Sequence, residues 1–541
     1  MHTAKCLAPI GQIVPKFVTE SVLMHYADRI GVIDGDKEFT YGQMLDRSYR
    51  LAHGLLDLGV KKGDHIVVLM PNVHEQIEAH YAVMGLGCPV ISMNTRLAPE
   101  EISYIINNSE SVGLLVDWEY THIISPILKD IKNIRFIIIT SGGEKTSELN
   151  GLDYEKLLSG SSPEPVDLTT IDDEDNLASI LYTSGTTARP KGAMLSYKSC
   201  WFRMLQHLEY VRPTINDVYL HIVPMFHSQA WGAIWNIPRV GAVNVCARYM
   251  TPNFLLKLVR EHGVTCWCGA PAVINAMRLH PDWEKTEWPP GSHIHFGGSP
   301  IPLPVIQACD NKGVKVHHQY GLTEWMFGAN TSHTSYLGEW NNLPVEKRAE
   351  IMARQGLSNY FSVTKVVRED GTEVRHDGRE MGEIIIKGDF GMGGYWKDQE
   401  NTAKVVKNGW FHSGDLAVVH PDGYIEIKDR LKEMILSGGE NIGSAEVERV
   451  VGLHPEVAEV AVIGVPHEKW GETPKAVVVL KEGMTATEKE IIDFCRERLA
   501  HYKCPTSVDF RDSIPKTATG KIQKYVLREP YWKGYAEKVK G

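Results

Sequence analysis

Hydrophobic positions along this chain keep two rhythms. Unbroken apolar runs of strand length, HIVVLM (His65–Met70) and IRFIIIT (Ile134–Thr140), are rich in β-branched residues and predict strands buried on both faces. Tyr41–Leu58 instead brings Leu45, Leu51, Leu55 and Leu58 round at helical spacing. The alternation resumes with strands predicted at Leu177–Tyr182, Tyr219–Val223 and Ala242–Cys246. A helix follows, with Thr251 as its cap, Pro252 in its first turn and Gly263 past its end; Phe254, Leu255, Leu258 and Val259 form its apolar face. Strands alternating with crossover helices predict an α/β fold of parallel or mixed sheets flanked by helices, with ligands at the carboxyl ends of the strands.

Past Gly371 the texture changes to glycine-rich short strands, Gly382–Trp396 and Asp422–Ile435. From Glu459 a separate small α/β pattern appears, ending in a helix opened by a Thr487–Glu490 capping box and carrying Ile491, Phe494, Cys495 and Leu499. Two domains are expected, residues 1–430 and 431–541, with the boundary near Asp429–Lys432.

Composition narrows the partners. A chain of 541 residues, 43% hydrophobic, is long enough for a large core and too long for one compact unit. Its formal net charge of −10 argues against a nucleic-acid surface and against a polybasic membrane anchor. The nine cysteines form no regular framework, and Cys266-Trp267-Cys268 has no second pair to complete a metal site. Reduced thiols in a cytoplasmic protein are the expectation, with no secretory signal in MHTAKCLAPIG and no segment of membrane-spanning length.

The densest chemistry lies in Thr183–Gly192, TSGTTARPKG, directly after the strand Leu177–Tyr182. Hydroxyls and backbone amides donate to phosphate oxygens, glycine lets the main chain approach, and Lys191 adds a point charge. The common NTPase loop is excluded, because Pro190-Lys191-Gly192 stands where Gly-Lys-Ser/Thr is required. A Ser/Thr/Gly-rich turn alone reads as a solvated loop; Arg189-Pro190-Lys191-Gly192 at this spacing turns it into a polyanion cradle.

This segment closely resembles the phosphate loop of the AMP-forming adenylating enzymes, the family of acyl-CoA synthetases, luciferases and peptide-synthetase adenylation domains. One departure is Ala188, where relatives usually have glycine. Six further segments resemble the family in the family's order: VPMFHSQAW (Val223–Trp231), GGSPIP (Gly297–Pro302), HHQYGLTEW (His317–Trp325), WFHSGDLA (Trp410–Ala417), SGGENI (Ser437–Ile442) and PKTATGKIQK (Pro515–Lys524).

The resemblance implies roles. Thr183, Ser184, Gly185, Thr186, Thr187 and Lys191 would hold the phosphates of ATP, together with Gly298, Ser299 and Pro300. Gln319, Tyr320, Gly321, Leu322 and Thr323 would form the adenine and phosphate wall, with Tyr320 against the base and Glu324 as the ligand of Mg²⁺. Asp415 would accept the ribose hydroxyls, with Arg430 beside it. Lys521 would bridge the attacking carboxylate and the α-phosphate. His227, Trp231, Gly297 and Trp325 would line the acyl pocket, with Met326 and Phe327 nearby. Ser437, Gly438 and Gly439 would admit CoA, and Lys432 would be the hinge of a mobile C-terminal domain. Trp325 replaces a common threonine, and Leu436 replaces a lysine of many relatives, so that lysine's role is not carried over.

The implied activity is ATP-dependent acid:CoA ligation through an acyl-adenylate, releasing AMP and pyrophosphate. Glu339–Gly356 resembles most the acyl-activating enzymes of short- and medium-chain or aromatic acids. Long-chain acids and loading of a carrier protein are the alternatives. The expected partners are a small carboxylic acid, ATP and CoA; a homodimer is compatible with this reading.

Overall fold

The computed structural model describes residues 22, 25–141, 149–166, 173–183, 189–299, 301–326, 329–330, 343–352, 354–359, 361–431, 433–438, 440–517 and 521–533. Among these, the strands form four sheets, of nine, seven, five and five strands. The nine-stranded sheet is parallel through Ile30–Asp34, Val243–Cys246, Val218–His221, Cys266–Gly269, His293–Phe296 and Lys315–Tyr320, with antiparallel strands at its edges. The seven-stranded sheet is parallel except for its last pair, where Leu177–Thr183 runs antiparallel to Lys191–Ser196.

The expected elements are recovered from Tyr41 onward. Ile66–Leu69 and Phe136–Ile139 are fully buried strands, and Tyr41–Asp57 is a helix with a Thr40–Gln43 capping box. Pro252–His262 is a helix closed by left-handed Gly263, φ 62°. Thr251 stands at its N-cap in extended conformation, but its side chain makes no capping bond, so the Pro252 ring is the local start signal. Among the helices that the pattern did not reveal is His74–Gly85, in which every residue is buried. It has no polar face because it lies in a core drawing on both large sheets, with Ile66 and Val68 of one and Val32, Cys266 and Cys268 of the other. Its buried Glu78 is offset by Arg47 at 2.7 Å and the Tyr154 hydroxyl at 2.7 Å.

The third sheet is antiparallel and built on Gly382–Gly388, Trp410–Val419 and Ile425–Arg430. The fourth holds only residues beyond Met434, centred on the hairpin Val457–His467 and Gly471–Leu480. Its helix Glu488–Arg496 carries the expected Thr487–Glu490 capping box. This is an α/β architecture of mixed sheets plus a separate C-terminal sheet. Among the described residues no helix is long and apolar enough to cross a membrane.

Candidate active site

The motifs sit on strands and turns of different sheets. Leu177–Thr183 and Lys191–Ser196 form a hairpin in which Thr183 pairs with Lys191, so both ends of the phosphate loop are anchored. Of that loop, Ser184, Gly185, Thr186, Thr187 and Ala188 lie outside the described residues, as do Pro300, Phe327, Lys432 and Gly439. Beyond the hairpin, Gly393–Trp396 docks on the second strand: Gly393 N donates to Met194 O at 2.9 Å, Met194 N to Gly394 O at 2.9 Å, and Trp396 N to Gly192 O at 2.7 Å. This carries Tyr395 to the loop's lysine, whose Nζ lies 5.4 Å from the ring centroid. The Tyr395 hydroxyl donates to Glu324 Oε1 at 2.8 Å. Burial, then the charge of Glu324, push that phenol above its ordinary value.

Gly297–Ser299 and Gly321–Glu324 follow directly from the parallel strands His293–Phe296 and Lys315–Tyr320, at their carboxyl ends. Buried Tyr320 donates its hydroxyl to Asp415 Oδ2 at 2.7 Å, and Arg430 Nε meets Asp415 Oδ1 at 3.1 Å. Asp415 and Arg430 face each other across antiparallel strands, so sheet register sets this pair. Each carboxylate oxygen takes a protein donor and keeps lone pairs for a ligand.

Lys521, from the far end of the chain, comes close enough to Arg430 and Asp415 for their charges to act on it. Its backbone is fixed beside Thr517, with Thr517 N donating to Lys521 O at 2.7 Å and Lys521 N to Thr517 Oγ1 at 3.1 Å. Burial, then Arg430, lower its ammonium to about 8, while Asp415 and Glu433 oppose the shift. The C-terminal sheet is tied to the third sheet by Ser444 N donating to Asp429 Oδ2 at 2.7 Å. Ser437 and Gly438 face elsewhere: Gly438 N donates to Trp470 O at 2.9 Å, and a Cβ there would meet the Trp470 ring at 2.6 Å.

The acyl-pocket segment holds unusual backbone. Ser228, Gln229, Ala230 and Trp231 all have φ between 50° and 58°, a left-handed turn closed by Gly232 at 90°. Such geometry costs roughly 1–2 kcal/mol per residue and persists only where packing over-determines it. Gly232 supplies part of that constraint, since a Cβ there would come within 2.9 Å of the Arg203 carbonyl. The turn lays the Trp231 ring over Gly297, whose missing Cβ would otherwise sit 2.9 Å from Cη2. His227 is held down to about 4 by burial, then by Arg203 and Lys521, and is therefore neutral.

Trp325 corrects one expectation. Its ring packs with Phe390 at 5.3 Å and Phe411 at 6.1 Å against Gly391, whose lack of a side chain makes the berth. Trp231 instead shares a cluster with Tyr210 and Met326. The residue after Glu324 thus packs against the third sheet, and Met326 takes its place beside Trp231.

Two residues went unseen in the sequence. Tyr395 sat in a glycine-rich run noted only for texture, and an aromatic after Gly393-Gly394 was its one signal. Arg203 gave none: it is a fully buried cation on the helix Tyr197–Val211, donating to Thr323 O at 2.8 Å and Met326 Sδ at 3.5 Å. Burial lowers it to about 10, opposed by the charges of Cys200 and Glu324.

The chain is similar to known proteins along most of its length. The family model described as AMP-binding enzyme matches residues 19–396, and that of the AMP-binding enzyme C-terminal domain matches 446–521. A protein named probable CoA ligase CCL11 from Humulus lupulus is 39% identical over 533 residues, covering 96% of this chain and 94% of its own. One named butyrate--CoA ligase AAE11, peroxisomal, from Arabidopsis thaliana is 38% identical, with 93% and 90% covered. The crystal structure of the anthranilate CoA ligase AuaEII with anthranoyl-AMP superposes with a TM-score of 0.86 over 96% of this chain and 97% of that one; at 23% identity it speaks for the fold alone.

Proposed function

This chain belongs to the AMP-binding enzyme family, and from that membership we propose that it joins a short- or medium-chain or aryl carboxylic acid to CoA at the expense of ATP, releasing AMP and pyrophosphate. The observation that carries the reading is Lys521. The Lys521 ammonium feels the charges of both Arg430 and Asp415, and Asp415 in turn pairs with Arg430 and accepts from the Tyr320 hydroxyl, a set of groups suited to a nucleotide's ribose and α-phosphate.

In the first step a carboxylate oxygen attacks the α-phosphorus and pyrophosphate leaves. The chain contributes position and charge. Lys191 and the hydroxyls of Thr183 and Thr186 steady the departing phosphates, and Lys521 neutralises the oxygens between acid and phosphorus. Tyr320 and Asp415 hold adenine and ribose. Glu324 suits Mg²⁺, because it is a hard oxygen donor whose hydrogen bond comes from a neutral phenol, and among the described residues no ammonium or guanidinium lies within ion-pair distance of it. When bound, that ion spreads the phosphate charge.

In the second step the CoA thiolate attacks the acyl carbonyl and AMP leaves. The present arrangement, with Lys521 inward and Ser437–Gly438 against Trp470, suits the first step. Residues 431–541 then turn about Lys432, withdrawing Lys521 and bringing Ser437–Gly439 to the pocket. Neutral His227 and Trp231 bound the acyl group. Packing of the Trp231 ring over Gly297 and beside Met326 favours modest acids, as do relatives named for butyrate, 2-methylpropanoate, benzoate and trans-cinnamate. A cytoplasmic setting is part of the proposal, supported by buried free thiols such as Cys200, Cys246 and Cys268.

The test is an acid panel from acetate to palmitate with benzoate and cinnamate, incubated with Mg·ATP and CoA. Stoichiometric AMP, pyrophosphate and acyl-CoA are expected; ADP, or no turnover on any acid, overturns the proposal.

A further inference from the structure

The central strands of the nine-stranded sheet carry a second concentration of chemistry, at the ends opposite Gly297 and Tyr320. Register sets Tyr219 against Cys266, Cys266 against His293, Cys268 against His295, and His295 against His317. Alternation therefore places thiols and imidazoles on one buried face. The other face carries Leu220, Trp267, Ile294 and Phe296. A core face made of ligand-type residues asks for a reason, since aliphatic side chains would pack it at lower desolvation cost.

Asp217 stands at the head of the first of these strands. Its Oδ1 accepts from Thr265 Oγ1 at 2.7 Å, its Oδ2 from Thr214 N at 2.7 Å and Thr214 Oγ1 at 2.8 Å, which fixes the carboxylate beside Cys266. One ligand atom each of Asp217, Cys266 and His293 lies within 4.8 Å of the others. His293 Nδ1 is hydrogen-bonded to His295 Nε2 at 3.0 Å, and the buried Nδ1 of His295 has no hydrogen-bond partner.

We propose that Asp217, Cys266 and His293 bind one thiophilic divalent cation of the Zn²⁺ class, with His295 orienting His293 from behind. Oxygen, sulfur and nitrogen donors in this combination suit Zn²⁺, and a thiolate disfavours Mg²⁺ or Ca²⁺. Donors about 2.0–2.3 Å from a tetrahedral ion stand roughly 3.3–3.8 Å apart, so the trio closes by about 1 Å on binding, and water takes the fourth position. Binding releases the Cys266 proton to solvent. His295 supplies the hydrogen-bonded partner that metal-bound histidines commonly have. Partial exposure of Asp217 and His293 leaves an entry route past buried Cys266.

A neighbouring trio, His293, His295 and His317, is equally compact. The rings of His295 and His317, however, lie 4.4 Å apart and only 10° from parallel, so no ion can sit in the plane of both. The sulfur-containing trio is the better chelate. An ion there fastens three adjacent parallel strands at their starts, remote from the catalytic ends, which makes it a structural staple.

The test uses the full chain, stripped with chelator and titrated with Co²⁺ as a spectroscopic probe for Zn²⁺. One equivalent is expected to raise a sulfur-to-cobalt charge-transfer band that Zn²⁺ displaces. Cys266→Ser should remove the band, Asp217→Asn should weaken binding roughly 10–100-fold, and His317→Gln should leave both unchanged. Zn²⁺ should raise the wild-type unfolding midpoint by roughly 2–4 °C and leave Cys266→Ser unmoved. Absence of the band, its persistence in Cys266→Ser, or its loss in His317→Gln but not Asp217→Asn overturns the proposal. Should Cys266→Ser fail to fold, half-exposed Asp217→Asn decides alone, with unchanged affinity counting against the site.

Discussion

Tyr320 and Asp415 are joined by a 2.7 Å hydrogen bond from phenol to carboxylate, which links the parallel sheet to the antiparallel one at the proposed nucleotide site. In the proposed site this bond aims the carboxylate in advance of the ribose. Tyr320→Phe keeps the aromatic face and removes the tether. A hydrogen bond to a charged group is worth about 1.5–3 kcal/mol, so kcat/KM for ATP should fall roughly 10–100-fold. Steady-state kinetics with ATP varied is the check, and an unchanged value would show that Asp415 needs no such alignment.

Lys521→Ala should separate the half-reactions. Pyrophosphate exchange should drop by about 10²–10³, the scale of losing one transition-state donor, while conversion of supplied acyl-adenylate and CoA stays within a few-fold of wild type. Equal losses in both assays would contradict a lysine that serves only the first step.

The acidity of Lys521 sets a pH profile. Burial, then Arg430, lower its ammonium to about 8, and in the proposed mechanism the protonated form is the useful one. Adenylation kcat/KM should therefore be flat below that value and fall as pH rises through it. Lys521→Arg stays charged and should abolish this limb. A limb that persists in the arginine variant would assign the titration to another group. His227, neutral above about 4, should add no inflection in the same range.

Gly297 and Trp231 make a steric pair. Gly297→Ala would place a methyl group 2.9 Å from the indole, a contact that one of the two must yield to. Activity should fall at least several-fold with every acid. Trp231→Ala should move preference toward longer acids, and Trp231→Ala combined with Gly297→Ala should recover part of the single-glycine loss. Strictly additive losses, measured over a chain-length series, would disprove the contact.

Tyr395→Phe removes the donor to Glu324 and leaves the ring under Lys191. The Mg²⁺ concentration for half-maximal adenylation should shift by about 3–10-fold, with little change in the acid profile. No shift in metal requirement would separate Glu324 from metal binding.

Local chemistry was readable from the order of residues alone. Apolar runs of strand length, the Thr487–Glu490 box and Gly263 after a periodic face each specify an element within a few residues of chain, and the structure has those elements. The strand leading into the Thr183–Gly192 segment was equally legible, because an apolar run along one strand is a short-range property. Helix His74–Gly85 escaped because a helix buried all round has no polar stripe to set its period.

Everything that depends on two distant strands meeting was decided by the tertiary structure. Trp325 read as a pocket residue from its place after Glu324, yet a berth at Gly391, in the bend after the strand Gly382–Gly388, holds its ring among Phe390 and Phe411. Cys266 read as half of an unfinished pair, and parallel register set it beside His293. Tyr395 reached Glu324, and Lys521 came under the charges of Arg430 and Asp415, only through packing between elements far apart in the chain. A chain can write donors and acceptors at fixed intervals, but only burial against a partner strand determines which of them face each other and which lose their water.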